Sequence, residues 1–224
     1  MSMVQFAEAT RVASNPLVGL ERRCLIWLAQ RLPRAMNSDH LTALALAAMA
    51  LTGASYAVAP GRPVALLVAI VGLALNWFGD SLDGTLARVR GQQRPRYGFY
   101  VDHVVDCFGV VFVLAGLGWS GFMTPGIAMT FLIAYLMLSI EIYLATYCLT
   151  VFRLSFWGVG PTELRLLLAV GTIALVNDPQ VLLFGREYQL FDVGGVVGTI
   201  GLLITFVVSV ARNTRTLYEA EPLR

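Results

Sequence analysis

Charge is what this chain has least of. Only 13% of its 224 residues are Asp, Glu, Lys or Arg, whereas 57% are hydrophobic, and the mean hydropathy is +0.71. A soluble domain carries about 25% charged residues. That shortage excludes an ordinary soluble domain and points to a polytopic membrane protein, most simply one domain. The net charge is only +2, so no nucleic-acid partner is expected. Cysteine is also scarce: Cys24, Cys107 and Cys148 show neither pairing nor metal-ligand spacing. They read as small buried hydrophobes, without a disulfide framework. The first fifteen residues lack an apolar core long enough for a secretion signal.

Long apolar runs are what the chain does have. Residues 17–34 place Leu17, Leu20, Cys24, Leu28 and Leu32 at helical spacing, with Arg22, Arg23 and Gln30 opposite. Glu21 and Arg31 interrupt the pattern. This predicts a short amphipathic helix on the cytoplasmic surface, the alternative being a plain connector helix. Six spans follow, at about 41–59, 63–89, 98–118, 127–151, 161–177 and 193–211, each near the length a bilayer needs. Asp39 is placed to cap the first. Glu141 lies deep in the fourth and is expected to face the bundle interior. Pro161 suits the first turn of the fifth. The polar stretch 177–192 reads as a loop, and Gly194 and Gly198 open the sixth span with a small-residue packing face. Trp27, Trp77, Trp119 and Trp157 fit interfacial belts.

The expected architecture is all-α: six transmembrane helices plus an N-terminal amphipathic helix. Residues 1–38 form the N-terminal segment, 39–212 the catalytic bundle and 213–224 a tail. Basic residues set the orientation. Arg22, Arg23, Arg31 and Arg34 precede the first span, and Arg88, Arg90, Arg94 and Arg96 link the second and third. Arg153 follows the fourth, and Arg212 and Arg215 follow the sixth; the opposite loops hold only Arg62 and Arg186. Both termini and the link at 89–97 are therefore expected in the cytoplasm.

The stretch Asp80–Asp106 concentrates the chemistry. Asp80 and Asp83 are three apart, and Asp102 and Asp106 four apart, so each pair shares a helix face. The short basic link predicts that the two helices pack as a hairpin and bring four carboxylates together. Charges at membrane depth are costly and usually functional; the alternative is carboxylates at solvated helix ends. All-oxygen ligands at this density suit Mg²⁺, Mn²⁺ or Ca²⁺ rather than zinc. Gly84, inside an apolar helical run, costs about 1 kcal/mol against Ala. A helix accepts that where a ligand approaches the backbone closely, and Ala87 serves the same need one turn on.

The pattern D-x2-D-G-x2-A-R-x9-G-x3-D-x3-D resembles the signature of the CDP-alcohol phosphotransferase family. All eight fixed positions are present: Asp80, Asp83, Gly84, Ala87, Arg88, Gly98, Asp102 and Asp106. The resemblance implies two divalent ions, Mg²⁺ or Mn²⁺, held by Asp80, Asp83, Asp102 and Asp106. It implies a cytidine diphosphate site at Asp80, Asp83, Gly84, Ala87, Arg88 and Gly98, and Asp106 as the base that takes the acceptor's proton. It also implies a homodimer. The family commonly carries Asn-x-x-Thr where this chain has Asp39 and Thr42.

A second likeness narrows the branch. Asp102-His103 resembles the Asp-His of choline and ethanolamine phosphotransferases, and Gly160-Pro161-Thr162-Glu163 resembles another of their segments. His103 is then a second candidate base, the alternative being a histidine bonded to a neighbouring carboxylate. Glu163 and Arg165 are candidates for contacting the acceptor or a lipid phosphate, or for stabilising a helix end. The expected function is transfer of a substituted phosphate from a CDP-alcohol, either CDP-diacylglycerol or a CDP-linked head group, to an acceptor alcohol. CMP is released, in phospholipid synthesis at the inner face of the cell membrane. Rival readings are a cation-coupled transporter, for which no repeat is found, and a Mg²⁺-dependent membrane prenyltransferase, whose pattern lacks the Asp-Gly-x2-Ala-Arg core.

Overall fold

The computed structural model describes residues 16–149, 161–177 and 180–222. Its helices are α1 (Pro16–Arg31), α2 (Ser38–Val58), α3 (Ala65–Val89), α4 (Pro95–Ser120), α5 (Pro125–Leu149), α6 (Pro161–Asn177) and α7 (Leu190–Ala220), with a 3₁₀ turn at Ala59–Gly61. Strands β1 (Gln180–Leu183) and β2 (Arg186–Gln189) form an antiparallel hairpin before α7. The stretch expected as a loop is therefore partly ordered as strands. Phe184 and Gly185 both have positive φ, 51° and 77°, and Leu183 pairs with Arg186; tight two-residue hairpins use such backbone geometry.

The fold is an all-α bundle in which α2, α3, α4, α5 and α7 are each long and apolar enough to cross a membrane. α6 has 17 residues and is apolar over Leu164–Val176. Many large apolar side chains are exposed on the outer faces, among them Val197, Ile204 and Val207 of α7. That is the arrangement of a bundle whose solvent is hydrocarbon, where burial alone does not drive helix association.

Close backbone approach does much of the packing instead. α2 lies between α3 and α4 and packs along both, so α3 and α4 are not the directly packed hairpin expected from their short link. Gly72 and Gly79 of α3 sit against Ala48, Thr52, Leu41 and Ala45 of α2. A Cβ at Gly79 would stand 2.6 Å from the Leu41 carbonyl oxygen. On the other side, Gly53 of α2 meets Phe112 and Gly116 of α4. Between α5 and α7 the seam is made by Gly195 and Gly198 against Met123, Ile127 and Phe131, while Gly194 meets nothing within 4 Å. Gly198 thus packs as expected, while Gly195 takes the place expected of Gly194.

Local signals set the helix ends. The cap of α2 is Asn37, not Asp39: Asn37 Oδ1 accepts from His40 N at 3.0 Å, and His40 Nδ1 accepts from Asn37 N at 3.2 Å. Two otherwise orphaned backbone donors are satisfied. Asp39 sits in the first turn instead and pairs with Arg94 of the α3–α4 link. Pro95 starts α4, and Gly121 ends it with φ of 80°, the left-handed cap that glycine adopts without a Cβ penalty. Asp192 in the first turn of α7 accepts from Thr124 N and Oγ1, both at 2.6 Å, tying the α4–α5 corner to the start of α7.

α1 is docked rather than simply resting on a surface. Leu25 and Ala29 are buried with Leu41, Leu82 and Leu86, and Leu28, Leu32 and Trp77 pack around them. Cys24 is exposed, so the buried stripe runs through Leu25 and Ala29 instead. Cys148 is exposed and Cys107 partly buried; none of the three cysteines is the fully buried hydrophobe expected. Trp119 is 85% exposed and Trp27 52%, as belt residues are. Trp77 is not: it packs against α1 and donates a hydrogen bond to Glu21. Trp157 and Arg153 lie outside the described residues.

Candidate functional site

The end of the bundle that carries the arginine-rich link also carries the acidic residues. Asp80 lies about two and a half turns before the end of α3, and Asp102 and Asp106 lie about two and three turns into α4. One carboxylate oxygen from each of Asp80, Asp102 and Asp106 falls within 4.8 Å of the others. α3 and α4, separated by α2 over much of their lengths, meet through these side chains. Three hard anionic oxygens at that spacing fit Mg²⁺ or Mn²⁺.

Asp83 is directed differently. Its Oδ2 accepts from Thr42 Oγ1 of α2 at 2.6 Å, its Oδ1 accepts from Gly84 N at 2.5 Å, and Ser38 Oγ donates to its carbonyl at 3.1 Å. The fourth aspartate is therefore anchored to the start of α2 and stands apart from the other three. Sequence reading missed Thr42 as its partner, although Thr42 is the threonine of the Asp39-x-x-Thr42 segment.

Gly84 leaves open space: a Cβ there meets only the Arg88 guanidinium, at 3.5 Å and beyond. No packing demand explains its missing side chain, in contrast to Gly79. Gly98 likewise has nothing within 4 Å. Ala87 is half-buried and lines a cavity of about 380 Å³ together with Asn37, Ser38, Asp39, Gln92 and Arg94. Arg88 is exposed and donates to Thr85 Oγ1 at 3.1 Å. The link is braced by Arg90, whose guanidinium donates to the carbonyls of Leu32 and Pro33 at 2.9 Å and to that of Met36.

Arg165 of α6 reaches across to Asp80 at 2.6 Å, with both side chains mostly buried. Rather than bracing its own helix end, it brings a fixed cation to the carboxylate cluster. Sequence spacing held no sign of this contact, because Arg165 and Asp80 are 85 residues apart. The side chain of Glu163 lies outside the described residues.

His103 is buried. Its Nδ1 hydrogen-bonds the Phe99 carbonyl oxygen at 2.7 Å, and Asp102 Oδ2 is farther away at 3.7 Å. The ring stacks on Phe99 at 4.1 Å and meets Tyr143 of α5 edge-on at 4.9 Å. A carbonyl only accepts, so Nδ1 carries the proton, which in the neutral ring leaves the lone pair on Nε2. The imidazole is bonded to its own helix backbone, not chiefly to the neighbouring carboxylate.

Glu141 is buried, as expected from its depth, and accepts from Asn213 Nδ2 at 2.6 Å. That contact joins α5 to α7.

The sequence model of the CDP-alcohol phosphatidyltransferase family matches residues 36–210. The chain belongs to that family. The match spans α2 through most of α7 and leaves α1 outside it. No curated protein matches the chain. Membership of the CDP-alcohol phosphatidyltransferases makes this a membrane transferase of phospholipid synthesis, one that moves a phosphate-linked group from a CDP-alcohol. The transporter and prenyltransferase readings are thereby set aside. Members use divalent metal, and the Asp80, Asp102 and Asp106 cluster supplies suitable ligands.

Proposed function

We propose that this protein transfers a substituted phosphate from CDP-diacylglycerol or a CDP-linked head group to an acceptor alcohol, releasing CMP. The observation that carries this reading is the convergence of Asp80, Asp102 and Asp106 on one point, beside Arg165, within the family-matched residues. Asp83 completes the ligand set in this reading. Mg²⁺ or Mn²⁺ held there supplies positive charge to the diphosphate oxygens and to the leaving CMP.

The chain's own residues do the rest. Gly84, Ala87 and Gly98 give the donor room to lie against α3 and α4, and Arg88 faces its phosphates. Arg165, together with Glu163, meets the acceptor or a lipid phosphate. The acceptor oxygen attacks the β-phosphorus as the bond to CMP breaks, and its proton passes to a base. His103 suits that role: its Nδ1–H bond to the Phe99 carbonyl favours the tautomer with a lone pair on Nε2, the nitrogen that can take a proton. Asp106 is the other candidate and doubles as a metal ligand, which lowers its basicity.

In this reading α6 is a short sixth span. Seventeen residues rise about 25 Å, against a hydrocarbon core of about 30 Å. Both termini and the aspartates face the cytoplasm, where nucleotide-activated donors are made, and the working unit is a homodimer in the cell's inner membrane.

CMP release from a panel of CDP-alcohols and acceptors tests the reading directly. Release that depends on both donor and acceptor is expected; none across the panel would refute it. If His103 is the base, His103→Ala lowers kcat roughly 10²- to 10⁴-fold while donor affinity stays near normal. A His103→Ala enzyme with near-normal kcat and an unaltered pH profile would return the role to Asp106.

A further inference from the structure

Glu21 interrupts the apolar pattern of α1 and lies outside the family-matched residues. Its Oε1 accepts from Trp77 Nε1 of α3 at 2.9 Å and from Thr162 Oγ1 of α6 at 3.3 Å. One carboxylate oxygen thus joins three helices. Its two donors are placed in a telling way. Trp77 precedes Asp80 by three residues, and Thr162 precedes Arg165 by three. Residues three apart are neighbours on a helix surface. Each donor therefore sits one turn from one member of the Asp80–Arg165 ion pair, which spans 2.6 Å. α3 and α6 are connected at two successive turns, once by the ion pair and once through Glu21. Leu25 and Ala29 of α1, buried against Leu82 and Leu86 of α3, hold the helix that carries Glu21 in place.

We propose that Glu21 is a positioning residue for the transfer reaction. Through Trp77 and Thr162 it sets the spacing and rotation of α6 against α3, and so where the Arg165 guanidinium stands relative to Asp80 and the carboxylate cluster. It touches neither substrate. Hydrogen bonds to an ionised carboxylate are about twice as strong as neutral ones, which suits the residue to this work. A misplacement of about 1 Å at a transfer site costs on the order of 10²-fold in rate, so a small change in helix spacing is enough to be seen. The kinetic part of this inference rests on the transferase reading; the helix spacing does not.

The test compares Glu21→Ala, Glu21→Gln, Trp77→Phe and Thr162→Val in the full-length protein in lipid nanodiscs. Glu21→Gln keeps an oxygen acceptor for both donors. Glu21→Ala is expected to lower kcat for CMP release by about ten-fold or more, with KM for the CDP-alcohol changed by less than about three-fold. Glu21→Gln restores most of the loss, and Trp77→Phe and Thr162→Val fall between. A second measurement needs no activity. Spin labels at the exposed positions Val89 of α3 and Leu166 of α6, in a background without the native cysteines, report the α3–α6 distance by pulsed EPR. That distribution should shift or broaden in Glu21→Ala and match the parent in Glu21→Gln. If Glu21→Ala does not fold, Trp77→Phe and Thr162→Val carry both comparisons. A parent that releases no CMP overturns the transferase reading, and the spin-label distances alone then decide on Glu21. Parent-like distances in Glu21→Ala, or a Glu21→Gln protein as impaired as Glu21→Ala, would overturn its role.

Discussion

Asp80, Asp102 and Asp106 present one oxygen each to a common point, whereas Asp83 is held by Thr42. Groups that hold one ion lose function together, so each Asp→Asn change at 80, 102 or 106 should abolish nearly all CMP release. Combined changes should then cost little more than single ones. Chelation should do the same, with Mg²⁺ or Mn²⁺ restoring turnover; full activity in EDTA would be incompatible with the proposed metal centre. Thr42→Val is a separate case. It leaves a buried carboxylate without its hydroxyl donor, which costs about 1–3 kcal/mol. A lower melting temperature is expected alongside reduced turnover, and thermal unfolding followed by circular dichroism would show whether the bond matters. Residue spacing led to the convergence of Asp80, Asp102 and Asp106 but not to the bond between Thr42 and Asp83. Spacing shows which residues share a face of one helix; it does not show which neighbour that face meets.

Glycines separate packing from function at the level of the helix. A Cβ at Gly79 meets the Leu41 carbonyl oxygen at 2.6 Å, while one at Gly84 meets only the flexible Arg88 guanidinium. Gly79→Ala should therefore push α3 off α2 and destabilise the fold by about 1–3 kcal/mol. Gly84→Ala should leave the melting temperature within about a degree or raise it, since Ala is the better helix former. If the donor lies against this turn, Gly84→Ala still raises KM for the CDP-alcohol. Equal stability losses in both variants would contradict the packing described for α2 and α3. The helices themselves were readable from apolar runs, and their ends mostly from Pro and Gly. Asn37 was overlooked as the α2 cap because His40, its reciprocal partner, is not a usual capping-box residue. The β1–β2 hairpin was missed because four-residue strands in a polar stretch leave little pattern to read.

For the molecule as a whole, the cytoplasmic orientation proposed for the aspartates has a direct test. A cysteine introduced at Gln92, in a background without the native cysteines, should resist an impermeant thiol reagent in intact cells and react after lysis. Labelling in intact cells would place the aspartates on the outer face and remove the argument for a cytoplasmic donor.

Composition alone determined that this is a membrane protein, because few charges and long apolar runs leave no other solvent for it. The eight-position pattern from Asp80 to Asp106 was enough to indicate the family, and through that resemblance the chemistry. What only the tertiary structure decided are the contacts made between helices far apart in the chain. These are the placement of α2 between α3 and α4, the anchoring of Asp83 on Thr42, the reach of Arg165 to Asp80, and the seating of Glu21 between Trp77 and Thr162. A helix reports its own periodicity within every turn of sequence. The partner on its far side depends on which backbones can approach closely, and that is set by the packing of the whole bundle.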